Sequence, residues 1–346
     1  MAWNREMPAN PVVAVAGATG AVGQEFMQML HDLDFPASEV RALASARSAG
    51  KTIEFKGCGQ VSAGELTVQE MTPESFEGVD IALFSCGAGI SKKMRDAVTA
   101  AGAVMIDNSS AFRMDADVPL VVPEVNPGDA SWHSGVIANP NCSTIQMVVA
   151  LKPLYDIAPI KRVVVSTYQA ASGGGAPAME ELYNQTKAFL AGDELSVEVF
   201  QHRIAFNCIP HIDIFMEDDS TKEEWKMVVE TKKIMGDDAI AVAATCVRVP
   251  VLRCHAESVN VEFAGDVSVE AARAAYQSAP GITLMDDCAT NTYPMPGLLE
   301  GTNDTYIGRL RQDPTVEHGL ALWVVADQIR KGAALNAVQI AQLLLP

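Results

Sequence analysis

The sequence predicts an α/β protein in two parts, a doubly wound parallel sheet followed by a second domain of α+β type. Three observations carry this. An apolar run at residues 12–16 ends in a glycine-rich turn and opens onto a helical pattern. Short apolar runs then alternate with helical stretches up to about residue 140, the pattern of a parallel sheet with helices on its faces. Beyond Cys142 the texture changes to longer strand-like runs. A chain of 346 residues also exceeds one ordinary hydrophobic core, which favours two domains.

The elements follow in order. The strand at 12–16 runs into Gly17-Ala18-Thr19-Gly20-Ala21-Val22-Gly23, and the next helix repeats Phe26, Met29, Leu30 and Leu33 at spacings of three and four. Residues 40–44 read as the second strand, 81–85 as a buried strand, 91–101 as the helix after it, and 104–106 and 136–138 as further strands. Past Cys142, residues 145–154 read as a helix, 163–165 as a strand reaching Tyr168 and Gln169, Ser172-Gly173-Gly174-Gly175 as a loop, and 178–190 as a helix. Residues 239–251 and 259–263 read as strands of an antiparallel or mixed sheet. The last element, 328–344, reads as a helix with apolar Ile329, Ala333, Val338, Ile340 and Leu343, able to pack back on the first domain. The expected division is 1–141 plus 325–346 against 142–324.

Composition narrows the function. A formal net charge of −18 repels nucleic acid and anionic lipid, so neither is expected as a partner. A small anionic substrate would need a local cluster of cations. Seven cysteines, an odd number with no C-x-x-C pair, argue against a disulfide framework and against a zinc site; no metal is expected, and a reducing cytoplasm fits. The polar start at residues 1–11 does not read as a secretion signal. No run of about 18 apolar residues appears, so no membrane-spanning helix is expected.

The glycine turn is the first chemical signal. Gly17, Gly20 and Gly23 lie between a strand and a helix, where backbone N–H groups and the helix start can cradle a pyrophosphate. That is the Rossmann-type arrangement, although the spacing departs from G-x-G-x-x-G, and a plain tight turn is the rival reading. The second strand ends in Ala44-Ser45-Ala46-Arg47-Ser48, with no carboxylate to grip a ribose 2′-hydroxyl. Two hydroxyls and a guanidinium suit a 2′-phosphate, which favours NADP(H) over NAD unless Arg47 is merely a solvated loop cation.

The second signal is Asn139-Pro140-Asn141-Cys142-Ser143-Thr144, between a strand and a helix. A thiol at a helix start has its thiolate stabilised by the dipole and the free N–H groups, which could also hold an oxyanion. Ser143 and Thr144 are good caps for that helix. The rival reading is an inert cysteine, the role expected for the other six.

These segments, with Asn108-Ser109-Ser110-Ala111-Phe112-Arg113, Gln169-Ala170-Ala171-Ser172-Gly173 and Arg248-Val249-Pro250-Val251-Leu252-Arg253-Cys254-His255, agree in order and spacing along nearly the whole chain. Together they resemble the bacterial aspartate-semialdehyde dehydrogenase family. The resemblance implies an NADPH-dependent reduction of L-aspartyl 4-phosphate to the 4-semialdehyde in lysine, threonine and methionine biosynthesis, with 142–324 as a catalytic and dimerisation domain. It implies Cys142 as the nucleophile that forms an acyl thioester, His255 as general acid/base and Gln169 as the residue that orients the substrate. By the same resemblance Arg248 holds the substrate α-carboxylate, Arg113 and Lys226 bind phosphate, Glu223 meets the ammonium, and Asn141 lines the substrate site. Thr19, Gly20, Ala21, Val22, Arg47, Ser48, Ser172, Gly173 and Gln328 match cofactor contacts. A homodimer or homotetramer is implied.

The residues alone leave rivals. A lone histidine such as His255 is usually a satisfied polar group, and the rival reading of Arg113 is a surface ion pair. Ser220-x-x-Glu223 has the form of a capping box, which would make Glu223 structural. Gln169 could simply bond backbone in the glycine-rich loop. Related thioester enzymes, such as N-acetylglutamyl-phosphate reductase or glyceraldehyde-phosphate dehydrogenase, share the architecture, and a non-catalytic NADP-binding subunit would share the glycine turn.

Overall fold

The computed structural model describes residues 5–346; the first four residues of the polar start lie outside the described residues. The chain divides into two compact units, one running to Asn141 and taking up Ala333–Pro346, the other Cys142–Gly332. Among the described residues no helix is long and apolar enough to cross a membrane.

The first unit contains β1 (Val12–Ala16), α1 (Ala21–Asp32), β2 (Glu39–Ala44), β3 (Thr52–Phe55), β4 (Gly64–Thr67), β5 (Gln69–Glu70), β6 (Ile81–Phe84), α2 (Ala88–Ala100), β7 (Val104–Asp107) and β8 (Val136–Ala138). Its sheet has the order β5-β2-β1-β6-β7-β8, and every pair is parallel. Every residue of β6 and β7 is buried, as parallel strands covered on both faces require. Phe26, Met29 and Leu30 of α1 join Val13, Val15, Leu83 and Ile106 in one core, which also takes Leu335, Val338 and Ile340 of the terminal helix Leu335–Leu343. Chain order turns back at β1, with β2 on one side and β6 on the other. The crevice at the carboxyl ends of such strands is where doubly wound sheets take ligands, and the glycine turn begins there. The antiparallel β3–β4 pair was not anticipated: β3 alternates buried Ile53 and Phe55 with exposed Thr52 and Glu54 over only four residues, and β4 shows no alternation.

The second unit contains α3 (Cys142–Tyr155), β9 (Ile160–Gln169), α4 (Ala176–Ala191), α5 (Lys222–Met235), β10 (Ala241–Arg248), β11 (His255–Phe263), α6 (Val269–Ser278), β12 (Ile282–Leu284), α7 (Pro296–Leu299), β13 (Thr305–Gln312) and β14 (Gly319–Ala326). The sheet order is β10-β9-β11-β14-β13-β12, a mixed sheet: β10 and β9 are parallel, and β9, β11, β14 and β13 are successively antiparallel. Its covered face packs Val163, Val165, Val259, Val261 and Phe263 against Met147, Ala150, Leu151 and Leu154 of α3.

Three expectations need correction. Residues 325–332 belong to the second unit, because β14 extends to Ala326, which pairs with His255 of β11. The terminal helical run does not begin at 328: a π-helical turn covers Arg330–Ala334 and the α-helix starts at Leu335. Helix α3 starts at Cys142 itself, so Ser143 and Thr144 lie inside its first turn and are not its caps.

Candidate active site

The second unit gathers most of the polar residues singled out in the sequence. Adjacent strands β10, β9 and β11 present Arg248, Gln169 and His255 at one end of the sheet, where Arg248 is the register partner of Gln169. All three are buried. Gln169 bonds side chains rather than loop backbone. Its Oε1 accepts from Thr167 Oγ1 at 3.0 Å, its Nε2 donates to Glu223 Oε1 at 3.1 Å, and the same nitrogen lies 3.5 Å from His255 Nε2.

His255 is wholly buried, and the Ala170 N–H donates to its Nδ1 at 3.0 Å. With Nδ1 an acceptor, a neutral ring carries its proton on Nε2. Burial first, and the nearby Arg248 charge second, hold its pKa well below the usual histidine range, so it is neutral at pH 7. The preceding Cys254 adopts a left-handed φ of 71°, a conformation that costs a non-glycine residue about 1–3 kcal/mol. Its N–H is held by Gln328 Oε1 at 2.8 Å, and Gln328 Nε2 donates in turn to Ser172 Oγ. Gln328 therefore bears on both the glycine-rich loop and the backbone entering His255.

Arg248 carries a buried charge. Its Nη1 donates to the Ala170 carbonyl at 2.6 Å, and it forms no ion pair among the described residues. Burial lowers its pKa, and the charges of Glu223 and of a Cys142 thiolate oppose that shift. A guanidinium so placed is poised for an incoming carboxylate. Gly173 leaves it room: a Cβ there would sit 2.6 Å from Arg248 Nη1 and 3.3 Å from His255 Nε2.

The capping alternative for Glu223 fails by one residue. The cap of α5 is Thr221, which exchanges hydrogen bonds with Glu224 at 2.7 and 3.3 Å. Glu223 instead bonds Gln169 and Lys226, the latter at 3.0 Å. Lys226 also pairs with Asp213 at 2.7 Å. Burial alone would lower the Lys226 pKa, but Glu223 and Asp213 outweigh it and hold the ammonium above its usual range. Asp213, at a left-handed φ of 70°, was not foreseen, and no sequence signal marks it.

Cys142 is part-exposed at the first residue of α3. Burial pushes the thiols of Cys58 and part-exposed Cys86 up to about 11 and that of Cys254 to about 12, and Cys246 is raised as well. Gly332, in the π-helical turn, presses on Cys142, since a Cβ there would lie 2.9 Å from the Cys142 Cβ. A glycine inside a helical pattern was the available signal for that contact.

The first unit holds the nucleotide-like features. Gly17 has φ 87°, and a Cβ on it would meet Ser85 O at 2.5 Å; one on Gly23 would meet Gly17 O at 2.1 Å. Thr19, Gly20 and Ala21 are exposed, Val22 is part-exposed, and the start of α1 has no side-chain cap. Ser45 and Arg47 are exposed and Ser48 is buried; Arg47 makes no ion pair among the described residues. Arg113 does not lie on the surface: it is buried, its Nε donates to the Asn139 carbonyl at 2.9 Å and its Nη2 to the Asn108 carbonyl at 2.8 Å. Asn141 is buried at the end of this unit.

Comparison with known proteins agrees across both units. Residues 12–133 match the family model described as semialdehyde dehydrogenase, NAD binding domain, and 151–331 match semialdehyde dehydrogenase, dimerisation domain. The aspartate-semialdehyde dehydrogenase of Aquifex aeolicus is 55% identical over 96% of this chain and 97% of its own length. The structure of aspartate-semialdehyde dehydrogenase II of Vibrio cholerae, complexed with ASA, has 46% identity and a TM-score of 0.93, covering 97% of this chain and 98% of that one. That of Candida albicans with NADP has 26% identity and a TM-score of 0.73, covering 97% and 98%.

Proposed function

Because the chain belongs to the aspartate-semialdehyde dehydrogenase family and is therefore an oxidoreductase, we propose that it reduces L-aspartyl 4-phosphate to L-aspartate 4-semialdehyde through a Cys142 thioester, using NADPH. The observation that carries this reading is a buried Arg248 that makes no ion pair among the described residues, electrostatically linked to the Cys142 sulfur and beside His255 and Gln169.

Arg248 grips the substrate α-carboxylate bidentately, Glu223 meets the ammonium, and Asn141 lines the same site. Arg113 and Lys226 bind phosphate. Lys226 already faces two carboxylates, so its role in phosphate binding requires it to share its three donors. The Cys142 thiolate attacks the acyl carbon; a C–S bond forms, the C–O bond to phosphate breaks, and phosphate leaves with the proton the reaction consumes. Gln169 fixes the acyl group against the sulfur. His255 offers Nε2–H to the oxygen on which charge develops, as a neutral donor. The free N–H groups at the start of α3 support the same oxygen.

The residues of the first unit fit NADPH. The exposed Thr19, Gly20 and Ala21 at the uncapped start of α1 offer backbone to a pyrophosphate, and the end of β2 offers Ser45, Arg47 and Ser48 with no carboxylate, which favours a 2′-phosphate. Bound there, NADPH supplies the hydride that reduces the thioester; Ser172, Gly173 and Gln328 complete its contacts. The cytoplasm, the lysine, threonine and methionine pathways, and assembly as a homodimer or homotetramer belong to the same reading.

The test is NADP and NAD reduction with aspartate semialdehyde and phosphate, before and after alkylation of Cys142. The reading expects NADP-preferring activity that alkylation abolishes. Equal or better turnover of N-acetylglutamate semialdehyde or glyceraldehyde 3-phosphate would favour the related thioester enzymes.

A further inference from the structure

Beneath these groups lies a pair of buried polar side chains with no assigned role. Glu257 stands two residues beyond His255 on β11, so it shares the covered face of the sheet with His255 and with Val259, Val261 and Phe263. Gln146 stands four residues after Cys142 on α3, one turn along the same helix face. Both are wholly buried, and both oxygens of Glu257 and both polar atoms of the Gln146 amide have no hydrogen-bond partner at normal geometry. Buried polar atoms left in that condition are costly, which calls for an arrangement that joins them. Gln146 is the side chain that bears on the Glu257 carboxyl.

We propose that Glu257 is a positioning residue: Glu257 and Gln146 form a hydrogen-bonded strut, closed directly or through one water, that ties β11 to α3 and sets how the Cys142 sulfur meets the His255 ring. The proposal rests on the roles given above to Cys142 and His255. Burial pushes the Glu257 carboxyl well above its usual range, and Gln146 only partly offsets this. The neighbours do not reverse it. Across β9 the facing side chain is Thr167, already committed to Gln169; across β14 it is Val324; and the Cys246 thiol of β10 is itself pushed up in part by Glu257. Burial thus favours the protonated form of Glu257, whose O–H can donate to the Gln146 carbonyl while its other oxygen accepts the amide N–H through which Gln146 opposes the shift.

Leucine at 257 keeps bulk and removes the strut, whereas glutamine keeps neutral hydrogen bonding. The expected result is that E257L lowers kcat about 10²-fold with little change in KM for the semialdehyde, as a misplaced reacting pair does. E257Q should recover most of that loss, and Q146L should reproduce the E257L defect without adding to it in the double variant. The parent should show a protonated-carboxyl stretch in the infrared that disappears in E257Q. Parental kcat in E257L, a loss in E257Q equal to that in E257L, or no acid band in the parent would each overturn the proposal. If E257L does not fold, the E257Q kinetics and the infrared band decide. C142S, assayed alongside, separates the two questions: its retained turnover would refute the thioester reading whatever Glu257 does.

Discussion

In the proposed reading, the glycine turn of the first unit and the sheet end of the second each hold an anionic ligand in an acidic chain, by opposite means. In the turn, the exposed stretch Thr19-Gly20-Ala21 offers backbone, and the requirement falls on what is missing: a Cβ at Gly17 or Gly23 collides with the backbone. At the sheet end, residues from Cys142 to Gln328 converge, and the requirement falls on buried polar side chains held by one another and by backbone. A backbone site tolerates exchange of exposed side chains around it. A convergent site transmits any change, because Gln169, Glu223, His255 and Arg248 bear on one another.

That contrast orders the expected effects. C142S should lower turnover at least ~10³-fold while NADPH titration by fluorescence stays at the parental affinity; weakened NADPH binding would show that the two regions are not separable in this way. R248K keeps the charge but loses the planar fork, and kcat/KM for the semialdehyde should fall about 10²-fold in steady-state assays. G173A pushes a methyl group toward the guanidinium and should raise KM about tenfold with NADPH affinity less affected. In the first unit, R47E should weaken NADPH about tenfold by calorimetry and leave NADH unchanged.

The smallest effect is on stability. Glu257 has its folded pKa raised above the unfolded value of about 4.5, so the stability it contributes is fully present below pH 4.5 and is lost as pH rises toward the folded value. E257Q removes that dependence, and its Tm should decline less than the parent's above pH 4.5, by about 2–4 °C per kcal/mol of linkage.

The same contrast explains what was legible in the sequence. Sequence adjacency made the glycine turn, its flanking strand and helix, and the Asn-Pro-Asn-Cys helix start readable from local rules. Arg248, Gln169 and His255 stood out through resemblance, but nothing in the chain said that β10, β9 and β11 lie side by side. Asp213 reaches Lys226 from a loop with no periodicity, and Glu257 reads as one alternating position among several on β11. The Glu223 cap was misplaced by one residue because Ser220-Thr221 and Glu223-Glu224 offer two overlapping boxes, and only the backbone shows which one closes. The boundary at 325 assigned to the first unit the whole helical run read from 328, whereas the residues up to Gly332, inside the π-helical turn, stay with the second unit.

The most direct test of the account omits phosphate. Aspartate semialdehyde and NADP mixed with the enzyme should give a stoichiometric burst of NADPH, and peptide mass spectrometry of the quenched protein should find the aspartyl group on Cys142. Steady phosphate-dependent turnover with an unmodified Cys142 peptide at every quench time would contradict it.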